Sequence, residues 1–108
     1  MLDVAVVGAS DQRCDVRLFG ELDALAMPRL ADLLGDVNLT AGGALALDLS
    51  SVVFIDSAGI HALYRLADHV ELCGGKLVLV DPPEHIRRVL DIVGFTAAPI
   101  ESAIGRDV

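Results

Sequence analysis

The sequence has few aromatic residues, few cysteines and no long apolar run. Its 108 residues include no tryptophan, one tyrosine and three phenylalanines. Because 54% of the residues are nevertheless hydrophobic, the core must be built from Val, Leu, Ile and Ala. This composition is too apolar for a disordered chain, and the length favours a single domain.

Positive charge is also scarce, which argues against several kinds of partner. The chain has eight Lys and Arg residues and sixteen Asp and Glu residues, so its net charge is −8. We therefore expect no binding to nucleic acid, which requires a basic face, and no docking on anionic lipid. No apolar run approaches the ~20 residues of a membrane span, and the start "MLDVAVV" lacks the basic region of a signal peptide. We therefore expect a cytoplasmic protein, and the negative charge is compatible with a basic protein partner.

Cysteine and histidine are too few and too scattered to indicate a cofactor. Cys14 and Cys73 are the only cysteines, and in a protein that is not secreted we expect buried thiols, not a disulfide. His61, His69 and His85 do not have the spacing of metal ligands. We expect neither a metal nor another cofactor.

The hydrophobic periodicity predicts an α/β domain. Two strands at 2–7 and 14–19 flank the turn-rich segment "GASDQR", which is short enough for a β-hairpin. Further along the chain the pattern predicts helices at 28–37, 60–73 and 82–93 and strands at 45–49 and 76–80. Strands that alternate with helices run parallel through right-handed crossovers. The expected fold is a mixed sheet, with an N-terminal hairpin followed by parallel βαβ units, packed with about three to four α-helices.

Three residues outside the central motif have predicted structural roles. Asp81 is expected to cap the last helix, with Pro82 in the first helical position and Glu84 three residues after the cap. Asp48 is expected to be a structural acid at the end of its strand. Ile100 is expected in a short edge strand.

The segment "FIDSAG", residues 54–59, joins a predicted strand to a predicted helix and places an acid beside a hydroxyl. Ser57 has three interpretations: a nucleophile, a helix cap, or a residue that another protein modifies. The nucleophile elbow of hydrolases reads G-x-S-x-G, but Ile55 stands at its first position and no histidine is placed to activate the serine, so we expect no enzyme. Serine is a preferred N-cap. Ala58 and Gly59 remove bulk around the hydroxyl, which would let a second protein reach it.

A second acidic segment, "GELD" at 20–23, follows the second strand. Ligand sites of parallel sheets form at the carboxyl ends of the strands, so "GELD" and "FIDSAG" are predicted to lie on the same edge. These two segments and "GGKLVLVDPPEHIRRVLDIVGF", residues 74–95, resemble the anti-sigma factor antagonists of the STAS domain family. The resemblance covers about residues 4–95 of a single domain at 1–108, and a weakly patterned tail follows at 96–108.

The resemblance implies a phosphorylation-switched binding protein. In that family the unmodified antagonist binds an anti-sigma factor that is itself a serine kinase, and this binding releases the sigma factor. Phosphorylation of the serine that matches Ser57 ends the binding, and a phosphatase of the PP2C type resets it. Many relatives have a second hydroxyl where this chain has Ala58, so a neighbouring phosphosite is excluded here.

The resemblance, together with the residues around Ser57, defines an expected partner surface. Ser57 would be the phospho-acceptor, Asp56 its acidic neighbour and Asp23 the acid on the facing loop. His61 and Arg65 follow Ser57 at i+4 and i+8 on one helix stripe, which is either partner-binding or merely solvated. The expected partner-binding residues are Glu21, Asp23, Asp56, Ser57, Ala58, Gly59, His61 and Arg65. The alternative function is a STAS adaptor that regulates a transporter or signalling assembly without phosphorylation of Ser57.

Overall fold

The order of elements is the predicted one. The computed structural model describes residues 1–10, 12–36 and 42–102. The elements are β1 Leu2–Ala9, β2 Arg13–Leu22, α1 Ala26–Asp36, β3 Ala44–Ile55, α2 Ser57–Leu72, β4 Lys76–Val80, α3 Glu84–Ile92 and β5 Ile100–Glu101. Val37, the last expected position of the first helix, and the tail beyond Ser102 lie outside the described residues.

The five strands form one mixed sheet in the order β1-β2-β3-β4-β5. β1 and β2 pair as an antiparallel hairpin, and each later neighbour is parallel. Every crossover from β2 onward moves one strand in the same direction, so right-handed connections place α1, α2 and α3 on one face of the sheet. Leu30, Leu63 and Ile86 from these helices join Leu47 of β3 in one buried cluster. The predicted α/β fold is confirmed, and no helix in the described ranges is long and apolar enough to span a bilayer.

The opposite face of the sheet carries small apolar residues and paired charges. Ala44, Ala46, Val78 and Val80 form a second buried cluster there. On β2, Arg13 donates hydrogen bonds to Asp15 at 3.1 Å and to Glu101 at 3.2 Å. Arg17 donates to Asp48, its direct partner on β3, at 3.1 Å. Charged side chains thus cover the face that no helix covers.

Asp48 lies inside a strand and not at its end, contrary to the prediction. β3 continues to Ile55 along β2, although β4 already ends where Val80 pairs with Asp48. Partial burial opposes ionisation of Asp48, but hydrogen bonds from Ser50 and the Arg17 guanidinium outweigh it and hold the pKa of this carboxyl below its ordinary value.

Two other local predictions are wrong. Asp81 does not cap α3: the cap position is Pro83, which has no side-chain cap bond, and the helix begins at Glu84. Asp81 adopts a left-handed backbone (φ 54°) and donates its N–H to Glu101 at 2.8 Å, so pairing with the last strand fixes its conformation. Cys73 is exposed at the end of α2, whereas Cys14 is buried as expected and burial raises the pKa of its thiol; both are free.

The lowered pKa of Asp48 predicts acid-sensitive stability. An unfolded Asp has a pKa of ~3.9. Because the folded pKa lies below that value, the stabilisation is fully present above about pH 4 and is lost as the pH falls through the folded pKa. Chemical denaturation between pH 7 and pH 3 should show that Asp48→Asn removes part of this acid dependence. The exposed acid Asp3 on β1 provides the control, and an Asp48→Asn protein with the wild-type pH profile would contradict the assignment.

Candidate phosphorylation site and partner surface

β2 and β3 end side by side, which brings the two predicted acidic segments together. Their last paired residues are Leu22 and Ile55, and the N–H of Asp56 donates to the carbonyl of Leu22 at 3.3 Å. We call this end of the two strands, with the residues that follow Leu22 and Ile55, the carboxyl edge. The prediction that "GELD" and "FIDSAG" share one edge of the sheet is confirmed.

The carboxylate of Asp56, not the hydroxyl of Ser57, caps α2. Asp56 has an extended backbone (φ −124°, ψ −173°), and its Oδ1 accepts the N–H of Gly59 at 2.9 Å. A carboxylate at this position also interacts favourably with the helix dipole. Ser57 is therefore the first residue of the helix. Its side chain is exposed, and within the described residues its hydroxyl has no hydrogen-bond partner.

Gly59 is required by the packing of the domain. A Cβ at this position would lie 1.9 Å from the carbonyl oxygen of Leu22, a distance that no side chain tolerates. The first turn of α2 thus rests directly on the end of β2, and Gly59 is buried. The sequence suggested that Gly59 leaves the surface open for a partner, but Gly59 is buried against the end of β2. Ala58 is half-buried beside it, so Ser57 is the exposed residue of the three.

The acids of the carboxyl edge have local structural partners. Asp23 accepts the N–H of Leu25 at 3.0 Å, and its own carbonyl accepts the N–H of Ala26, so it forms the turn that starts α1. Glu21 lies within β2 and not in the loop after it; its carboxylate is 3.6 Å from the amino group of Met1. This ion pair is largely exposed and therefore contributes little to stability.

The predicted helix stripe is present on α2. His61 and Arg65 are exposed, and in the described ranges neither forms an ion pair or a hydrogen bond. Arg65 also lines a groove of about 590 Å³ between α1 and α2, which does not include Ser57. The positions of His61 and Arg65 agree with the predicted stripe, and their contact with a partner stays a prediction.

Sequence reasoning missed two exposed apolar residues, Val53 and Phe54, which are separated from Asp56 and Ser57 by the buried Ile55. Val53 and Phe54 are both exposed on β3, next to buried Val52 and Ile55. A regular strand alternates its faces, so two successive exposed residues indicate an irregularity. The unbroken apolar run "VVFI" was the available signal, because it fits no period of two.

The family model of the STAS domain matches residues 5–104. The chain belongs to the STAS domain family. The predicted membership is confirmed over nearly the whole chain.

Several solved structures have a similar fold. An anti-sigma factor antagonist from Mycobacterium paratuberculosis is 25% identical, with a TM-score of 0.74, and the match covers 94% of this chain and 86% of that one. The anti-sigma factor antagonist SpoIIAA in its unphosphorylated form is 20% identical, with a TM-score of 0.71 and coverages of 99% and 92%. The Bacillus cell fate determinant SpoIIAA in the phosphorylated form has a TM-score of 0.62 at 20% identity and full coverage of both chains.

A transporter also contains this STAS fold. The murine anion transporter Slc26a9 in its inward-facing state is 19% identical, with a TM-score of 0.63. The match covers 79% of this chain but 14% of the transporter. Likeness at this identity shows the fold alone, so the fold by itself does not separate the antagonist function from the adaptor function.

The cap assignment predicts different effects for adjacent substitutions. Asp56→Ala removes the only side-chain acceptor described for the first turn of α2, and we expect a loss of about 0.5–2 kcal/mol in unfolding free energy. Ser57→Ala should change it by much less, because the hydroxyl makes no cap bond. Urea denaturation of both variants measures this difference. A larger loss of unfolding free energy for Ser57→Ala than for Asp56→Ala would show that Ser57, not Asp56, caps α2.

The contact of Gly59 with Leu22 predicts opposite effects for two glycine substitutions. Gly59→Ala should destabilise the domain by about 1–3 kcal/mol or more, because helix and strand must separate to admit the methyl group. Gly35→Ala is the control: it also lies in a helix, and its Cβ would meet nothing within 4 Å. That substitution should stabilise by roughly 0.5–1 kcal/mol. Equal melting temperatures for the two variants would rule out the close contact.

Proposed function

We propose that this STAS domain is an anti-sigma factor antagonist switched at Ser57. The unphosphorylated form binds an anti-sigma factor that is a serine kinase and so releases the sigma factor, and phosphorylation of Ser57 ends the binding. The observation that carries the proposal is the exposed Ser57 hydroxyl, which has no bond in the described structure because Asp56 caps the helix. Support comes from the similar fold of SpoIIAA, whose structures have unphosphorylated and phosphorylated forms.

In this proposal Ser57 is a substrate group and the domain is not an enzyme. A nucleophilic serine needs a base within hydrogen-bond reach. In the described part of the chain the Ser57 hydroxyl bonds no side chain. The proposed partners are the kinase and a phosphatase of the PP2C type, in the cytoplasm, without nucleic acid or membrane.

Phosphorylation is expected to leave the fold almost unchanged. Phosphoserine adds a charge of about −1.5 to −2 at pH 7. The N-terminus of α2 favours an anion by roughly 0.3–1 kcal/mol at an exposed site, and the carboxylate of Asp56 repels it by a comparable amount. The two contributions nearly cancel within the domain.

The charge of phosphoserine is expected to change binding to a partner much more than it changes the stability of the fold. A partner packed over Ser57 must desolvate the new charge or provide a cation for it. Leaving a buried charge without its partner costs ~2–5 kcal/mol, and each 1.4 kcal/mol is a factor of ten in affinity. The switch therefore acts on binding and not on folding.

The alternative function is an adaptor that is never phosphorylated. The likeness to the murine anion transporter shows that the same fold occurs within a transporter. The two functions differ in one observable, which is whether a kinase modifies Ser57.

Substitutions at Ser57 test the proposed switch. Ser57→Asp should melt like wild type but bind the anti-sigma kinase at least tenfold more weakly, whereas Ser57→Ala should bind and resist phosphorylation. Thr96→Asp, an exposed site between α3 and β5, adds the same charge elsewhere and should bind like wild type. Calorimetric titration with each purified candidate kinase of the same genome gives the affinities. Intact-mass analysis with ATP gives the phosphorylation state.

Three results would contradict parts of this proposal. Equal affinities of wild type and Ser57→Asp would argue against the interface account. An unfolded Ser57→Asp protein would show that the charge acts on the fold. Failure of every candidate kinase to modify wild type would favour the adaptor.

A further inference from the structure

The end of β3 contains a β-bulge, and the two apolar side chains at it, Val53 and Phe54, point toward solvent. Gly20 pairs with Val52 and Glu21 pairs with Phe54, so Val53 is an extra residue with no counterpart on β2. The relative exposures are 65% for Val53 and 47% for Phe54, against 1% for Val52. Bulges often occur next to functional sites, where they redirect a side chain.

His85 fixes this bulge from the other side of the strand. β4 ends at Val80, opposite Asp48, so the end of β3 lacks a strand partner there. The Nε2 atom of His85, in the first turn of α3, lies 3.1 Å from the carbonyl oxygen of Val53. With the proton on Nε2, the ring donates a hydrogen bond to that oxygen.

Carboxylates lie close to the exposed apolar pair, Val53 and Phe54. Glu21 is the direct cross-strand partner of Phe54, and Asp56 follows Phe54 by two residues. Leu25, in the turn formed by Asp23, is a further exposed apolar residue on the carboxyl edge. An apolar centre with a polar rim is the usual composition of a protein interface.

The apolar pair lies close to Ser57, because Phe54 precedes it by only three residues. Three residues of extended chain span at most about 10–11 Å, so Phe54 lies within that distance of the serine. A standard interface buries about 800 Å² on each partner, which is a patch roughly 30 Å across. An interface of this size that is centred on Ser57 is large enough to include Phe54 as well.

We propose that Val53 and Phe54 form the apolar anchor that holds the anti-sigma kinase at Ser57, and that His85 positions this anchor through the bulge. The proposal rests on the proposed function. The partner has an apolar pocket for a phenyl ring, with cationic side chains beside it that meet Glu21 and Asp56. A second copy of this chain fits less well, because it would bring the same carboxylates together in a domain of charge −8.

Alanine substitutions in the anchor test it directly. The probe is the purified anti-sigma kinase that phosphorylates wild-type Ser57. Phe54→Ala should raise the dissociation constant by about tenfold or more, and Val53→Ala by less. The KM for phosphorylation should rise with Phe54→Ala while kcat is retained, because Ser57 is intact. Val6→Ala is the control: Val6 is 55% exposed on β1, beside Val16 in the middle of β2 and two strands away from β3, and its loss should change neither constant.

Two substitutions at His85 separate positioning from packing. His85→Ala should weaken binding and speed amide hydrogen exchange at Phe54 and Ile55. His85→Gln should restore both, because its side-chain amide can donate to the Val53 carbonyl. A Gln variant that behaves like the Ala variant would overturn the positioning role of His85.

The outcomes for the anchor and for the proposed function differ. If wild type is bound and phosphorylated but Phe54→Ala binds equally well, the anchor is overturned and the antagonist function stands. If no candidate kinase binds or modifies wild type, both are overturned, and the hydrogen-exchange comparison alone still decides the role of His85.

Discussion

The carbonyl group of Leu22 makes two contacts with the segment that carries Ser57. It accepts the N–H of Asp56, and it lies so close to Gly59 that no side chain fits between them. These contacts fix the direction in which α2 leaves β3. The carboxylate of Asp56 then accepts the N–H of Gly59 and caps the helix, and the side chain of Ser57 points toward solvent. The exposed hydroxyl is thus a consequence of backbone packing, which a change at the hydroxyl itself does not disturb.

This separation between fold and surface suits a reversible switch. The segment is held by backbone groups, a glycine and a capping carboxylate, whereas the hydroxyl proposed for modification makes no hydrogen bond in the described structure. A charge added at Ser57 therefore meets only local electrostatic contributions of opposite sign. The same charge under a partner meets a desolvation cost several times larger. Binding can change by orders of magnitude while the domain stays folded.

The sequence was sufficient for the order of the elements, the hairpin and the common edge of "GELD" and "FIDSAG", because periodicity and strand direction are local properties. It was insufficient where distant contacts decide. Asp56 and Ser57 are both good caps, and the contact of Gly59 with Leu22 selects the first. Asp81 fits a capping pattern, but pairing with β5 places it in a left-handed conformation. The role of each residue in binding is not decided by the fold and stays a prediction.

Affinity and its control need not come from the same atoms. An acidic edge attracts a cationic partner surface and mainly changes the rate of association, whereas buried apolar groups mainly slow dissociation. In this domain the carboxylates of Glu21 and Asp56 lie beside the apolar side chain of Phe54, within one standard interface. A phosphate at Ser57 would add charge of the sign already present on that edge. It would not weaken the long-range attraction of a cationic partner surface, but it would oppose the close packing that an apolar anchor requires, so the modification acts mainly on dissociation.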